Sequence, residues 1–193
     1  MSETAKNIVE GFRELRRFCK DVSLLLNEAN KMMAENGWIH ISKRTHAIET
    51  LDGLDDPDGW LPDAFFCFYE HAKREHLLPY ISVLVDNLWA DDYDPDCVKE
   101  PIISAGWLDF GVGKKASTEW RKNYWVCASH LWMENRKDDG TPCTDDVWKI
   151  SENEDFPAGT VKVTSFAHPL EIITNSEKLK EKIVQPLLNA LPK

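Results

Sequence analysis

No stretch of this 193-residue sequence approaches the roughly 20 consecutive apolar residues that a membrane-spanning helix requires. The most apolar early region is interrupted by Arg13, Glu14, Arg16, Arg17 and Lys20. Met1 to Glu10 lacks the apolar core and small-residue cleavage site of a secretory leader, so a cytoplasmic location is the expectation. No cysteine pair has C-x-x-C spacing, which excludes the usual zinc knuckle and dithiol redox patterns. The five cysteines are scattered through a chain large enough to fold without staples, and they read as reduced, mostly buried thiols. There is no G-x-S-x-G elbow, and neither Ser129-His130 nor Cys127 stands beside a recognisable orienting acid. Internal repeats, low-complexity tracts and linkers are also missing, so residues 1–193 are expected to form a single α+β domain.

What is present is a globular composition with an uneven charge. Apolar residues make up 42% and charged residues 29%, and eight tryptophans argue for a substantial core. Acidic residues outnumber basic ones, 33 to 23. Residues 51–100 hold 13 of those acids against three bases, a local charge of −10 that equals the net charge of the whole chain. Binding to phosphate backbones depends on Lys and Arg releasing counterions, so nucleic acid is not an expected partner. Arg13, Arg16, Arg17 and Lys20 are interleaved with Glu10, Glu14 and Asp21, and pairing within a helix explains them.

The clearest element is the first. Ile8, Phe12, Leu15, Cys19, Val22, Leu26, Ala29 and Met33 recur at three- and four-residue steps, which predicts one apolar stripe on a helix that closes at Gly37. A helix of about 30 residues is about 45 Å long, more than one small domain needs. Part of its stripe is therefore expected to serve the core and part a second subunit. A short strand is read at residues 38–41, then a long polar loop to Gly59. Phe65, Phe68, Tyr69, Ala72 and His76 suit a helix opening at Pro62, with a strand over 65–69 as the rival reading. Runs at 80–85, 101–110, 123–133 and 160–174 read as strands joined without crossover helices, hence an antiparallel meander of four or five strands. Pro169 cannot donate to a ladder and is expected to mark a bulge, an edge or a break in the last strand. Thr174 and Glu177 have the spacing of a capping box for a closing helix that Pro186 should kink or divide. The fold expected is an antiparallel sheet flanked by a long N-terminal helix and a C-terminal helix.

The densest polar feature is the acidic loop from Asp86 to Asp96. Asp92, Asp94 and Asp96 alternate as the first ligands of a calcium loop do, but Cys97 replaces the turn glycine and Ile103 stands where the closing acid belongs. A divalent cation held by Asp86, Asp91 and Asp92 would instead suit a metal-dependent hydrolase. Residues 111–118 contain Gly111, Gly113, Lys114 and Ser117, yet Leu108 occupies the place of the first P-loop glycine, so a turn is the expectation. His71 and Glu75 would share a helical face, but no His or Cys set has metal-ligand spacing.

These features favour a non-catalytic ligand-sensing or protein-interaction module, a homodimer through its first helix. Its binding residues are expected at Trp89, Asp91, Asp92, Asp94, Asp96 and Trp107, where carboxylates face a basic protein partner or aromatic rings line a small-ligand site. The alternatives are the hydrolase just described and an acidic inhibitor or immunity-type binder of a basic enzyme.

Overall fold

The computed structural model describes residues 3–41, 46–48, 64–85, 101–113, 115–116, 143–149 and 160–192. Helix α1 (Glu3–Glu35) is a single 33-residue rod. It ends as a glycine-closed helix should. Gly37 takes φ 82°, its amide donates to the Ala34 carbonyl at 3.0 Å, and the Trp38 amide donates to the Met33 carbonyl at 3.1 Å. Met33 and Trp38 are both buried, so an apolar contact locks the turn that the two bonds draw.

Among the described residues seven strands follow: β1 (Ile39–His40), β2 (His46–Ile48), β3 (Ala64–Glu70), β4 (Leu77–Leu84), β5 (Ile102–Asp109), β6 (Cys143–Lys149) and β7 (Thr160–Pro169). All pairings are antiparallel. Five strands form the body of the sheet in the order β3-β4-β5-β7-β6, and the short β1 and β2 both lie along the outer edge of β3. The order departs from a plain meander. β7 pairs with β5 over eight consecutive residues and leaves β6, which carries a register shift between Asp145 and Trp148, outermost among the described strands. A bulged strand is tolerated at an edge, where only one ladder must be satisfied.

Residues 64–70 are a strand, not the helix that opened the reading of that region. Phe66 and Phe68 point to one face of the sheet while Cys67 and Tyr69 point to the other, and all four are buried. A helix would bury one stripe only; a central strand buries both sides. His71 and Glu75 accordingly lie in the β3–β4 turn and share no helical face. β4 begins at Leu77 and runs through Pro79, which lies just past the last β3–β4 pair, where its missing amide removes nothing from that ladder. β2 interrupts what the sequence suggested was continuous loop. The strand expected at 123–133 lies outside the described residues.

β7 ends at Pro169, as its lack of an amide donor requires, and the Leu170 amide donates to the Pro101 carbonyl at 2.9 Å. A 3-10 turn (Leu170–Ile172) leads to three helical pieces in succession: α2 (Ser176–Leu179), a π segment (Lys180–Val184) and α3 (Gln185–Ala190). The cap of α2 is Asn175, whose side-chain oxygen accepts the Lys178 amide at 2.9 Å; Thr174 is exposed one position earlier. Asparagine is the stronger cap, and its shorter reach to the third amide displaces the threonine box. Pro186 divides the helix as expected. Its ring would press on the carbonyl four residues back, and the backbone widens into the π turn immediately before it.

Both faces of the sheet are covered, so β4 is buried from Leu77 to Leu84 and β5 from Ile102 to Leu108. On one face, Val22, Leu26, Ala29 and Met33 of α1 join Leu179, Ile183, Val184 and Leu187 over Cys67, Ile81, Ile103 and Ala105. The other face holds Phe66, Phe68, Leu78, Tyr80, Ile102 and Leu108. Each buried Val, Leu, Ile, Phe or Met among them contributes roughly 1.5–3 kcal/mol. Among the described residues no helix is long and apolar enough to cross a membrane.

Candidate interaction surface

The apolar stripe of α1 has a strict rhythm. From Ile8 to Met33 the steps alternate between four and three residues, a seven-residue repeat with apolar side chains at its first and fourth positions. Its two halves have different fates. Val22, Leu26, Ala29 and Met33 are 0–3% exposed against the sheet, whereas Ile8 and Phe12 are 56% and 58% exposed. Leu15, Phe18 and Cys19 are half-buried, and every residue from Lys6 to Glu14 is exposed. The body end of the rod is pinned by Tyr69, whose hydroxyl donates to the Asn30 side-chain oxygen at 2.9 Å. Burial holds the Tyr69 phenol well above its usual pKa, so this donor keeps its proton.

Charge on the exposed arm is kept off the stripe. Viewed down the helix, Arg13, Arg16 and Lys20 lie on one flank, and Glu14 and Asp21 lie on the other. Arg17, on the side opposite the stripe, donates to Glu14 at 2.6 Å. With both partners exposed, that pair adds little to stability.

Where the arm meets the body, a groove of about 460 Å³ opens between α1 and the segment entering α2. Phe18, Val22, Leu24 and Leu25 line one wall, and Leu170, Ile173 and Leu179 the other. Asp21 and Glu28 stand at its rim beside Thr174, Asn175 and Ser176. Leu24 is 59% exposed, an apolar side chain outside the stripe. The groove was not legible in the sequence, because its walls come from residues 18–28 and 170–179, which only the fold brings together. The off-stripe Leu24-Leu25 pair was the available signal.

A smaller cavity of about 260 Å³ is lined by Ile39, Glu70, His71, Glu75 and Lys115. Its histidine is occupied in holding the turn. Nδ1 of His71 accepts the Lys73 amide at 3.1 Å, and its ring centroid lies 5.0 Å from that of Trp38. Arg74 in the same turn lies 6.0 Å from the Trp38 ring and donates to the Pro192 carbonyl at 3.1 Å, tying the end of the chain to the β3–β4 turn. Gly111 and Gly113 belong to a turn that is anchored by Asp109, whose side chain accepts the Gly111 amide at 2.9 Å.

Of the binding residues read from the sequence, Trp107 lies in β5 on the helix-covered face and is 9% exposed. Trp89, Asp91, Asp92, Asp94 and Asp96, with the metal candidate Asp86, lie outside the described residues. Among the described residues no three His, Cys, Asp or Glu side chains are grouped to hold a metal ion. Comparisons with protein-family models, with characterised proteins and with solved structures return no match for this chain.

Proposed function

We propose that this chain is a protein-interaction module that presents the exposed half of α1 to a helical partner. The observation that carries the reading is the continuity of one stripe through two environments. The same seven-residue repeat that is fully buried at Val22–Met33 continues to Ile8, where nothing in the requirements of the sheet asks for it. Solvent-facing turns of a helix ordinarily carry polar residues, and a contiguous exposed apolar patch on a folded protein marks a site of association. The repeat of 3.5 residues further selects the class of partner, because that period keeps a seam facing another helix.

Photo-crosslinking in cells that make the protein tests this. With the crosslinker at Val9, beside the stripe, a discrete adduct is expected, and the Phe12→Glu change should abolish it. The same group at Arg17, on the opposite side, should give none. Equal labelling from both positions, or none from Val9, ends this reading. Phe12 is exposed, so its substitution should leave the melting temperature within about 1 °C, since surface changes usually stay within about 0.5 kcal/mol.

A further inference from the structure

We infer that the helix seated on this arm is the same arm of a second copy, packed antiparallel about a twofold axis. This rests on the reading of the arm as a docking surface and names its occupant. The described helices of the same chain are already committed, since Leu179, Ile183, Val184 and Leu187 are 0–2% exposed in the core. A second copy offers a matching seam. The register that sets Phe12 of each helix level with Leu15 of the other also sets Ile8 level with Cys19, so every layer is filled. Antiparallel pairing is required by the fold. From Val22 onward the stripe faces its own sheet, so a parallel partner would run its later turns into that sheet, whereas an antiparallel partner carries its body away from it.

The contact is small. Two arms of about 16 residues bury on the order of 1,000 Å² in total, the lower bound for a specific interface, so the dimer is expected to be reversible. Electrostatics oppose it. The twofold axis sets the Arg13, Arg16 and Lys20 flank against its own copy, and each chain carries a net charge of −10. Screening should therefore tighten the dimer as salt rises, the reverse of what an oppositely charged partner helix would show.

The test uses the native Cys19. In the full-length Ile8→Cys variant, mild oxidation should yield a covalent dimer whose cross-linked peptides join Cys19 to the residue introduced at position 8 of the other chain. Within one chain these positions are about 16 Å apart along the helix and cannot pair. Cys19→Ser in the same background should abolish that cross-link. Sedimentation equilibrium of the unmodified protein should show a dimer that tightens between about 50 mM and 500 mM NaCl and weakens roughly tenfold or more with Phe12→Glu. A monomer at about 100 µM, or a cross-link joining position 8 only to its own copy, overturns self-pairing. If the Val9 crosslinker still gives a discrete adduct of another mass, the docking surface stands and the occupant is a different helix.

Discussion

Gly106 sits where β5 passes closest to its neighbours. A β-carbon there would collide with the Thr164 carbonyl oxygen and come within 2.9 Å of both the Ser165 Cα and the Tyr80 ring. Two of those three obstacles are backbone, which cannot swing aside. Gly106→Ala should therefore cost about 3 kcal/mol through overpacking, read as a lowered urea midpoint with an unchanged slope. The neighbouring Tyr80 gives a second expectation. Its phenol is fully buried, with its hydroxyl 3.4 Å from that of Ser104, and burial pushes its pKa up to about 12 from 10. Above pH 10 the unfolded chain loses this proton while the folded chain keeps it. The stability due to protonated Tyr80 is thus whole below pH 10 and is lost as pH rises towards 12, on the order of 3 kcal/mol in all. A Tyr80→Phe variant should show a shallower decline in denaturation midpoint across that window.

Among the elements, legibility followed pattern length. α1 has eight stripe residues in strict rhythm and could be read almost to its ends. β3 has two aromatic residues on each face and fits either period until the sheet supplies a second buried side. β6 was missed: Asp145 and Asp146 interrupt its apolar residues, and the register shift before Trp148 breaks the alternation that a reader would seek. The end of the chain shows how near neighbours compete for one role. Thr174 and Asn175 both precede α2, and only the hydrogen bond from the Lys178 amide distinguishes the cap. Asn175→Ala should accordingly destabilise by about 1 kcal/mol, measured by chemical denaturation, while Thr174→Ala should be nearly silent.

At the scale of the molecule, the α+β arrangement was readable because helices stood at both ends and strands between, whereas the strand order was not. Placing β7 between β5 and β6 depends on which edge wins a long pairing, and composition carries little information about that choice. The candidate site divides in the same way. Its seam lies within one helix and was visible as an excess of apolar length, while the groove beside it exists only after α2 folds back along α1. The helix itself has a mechanical consequence. It is a rod of about 50 Å whose fully buried residues, Val22 to Met33, all lie in its second half, so it acts as a lever. A tilt of about 5° at the root moves the N-terminal end by roughly 2–3 Å over the about 20 residues that precede Val22. The load then falls on the Asn30–Tyr69 hydrogen bond and on the Met33–Trp38 clasp, which form the bearing through which any event at the tip is felt by the sheet.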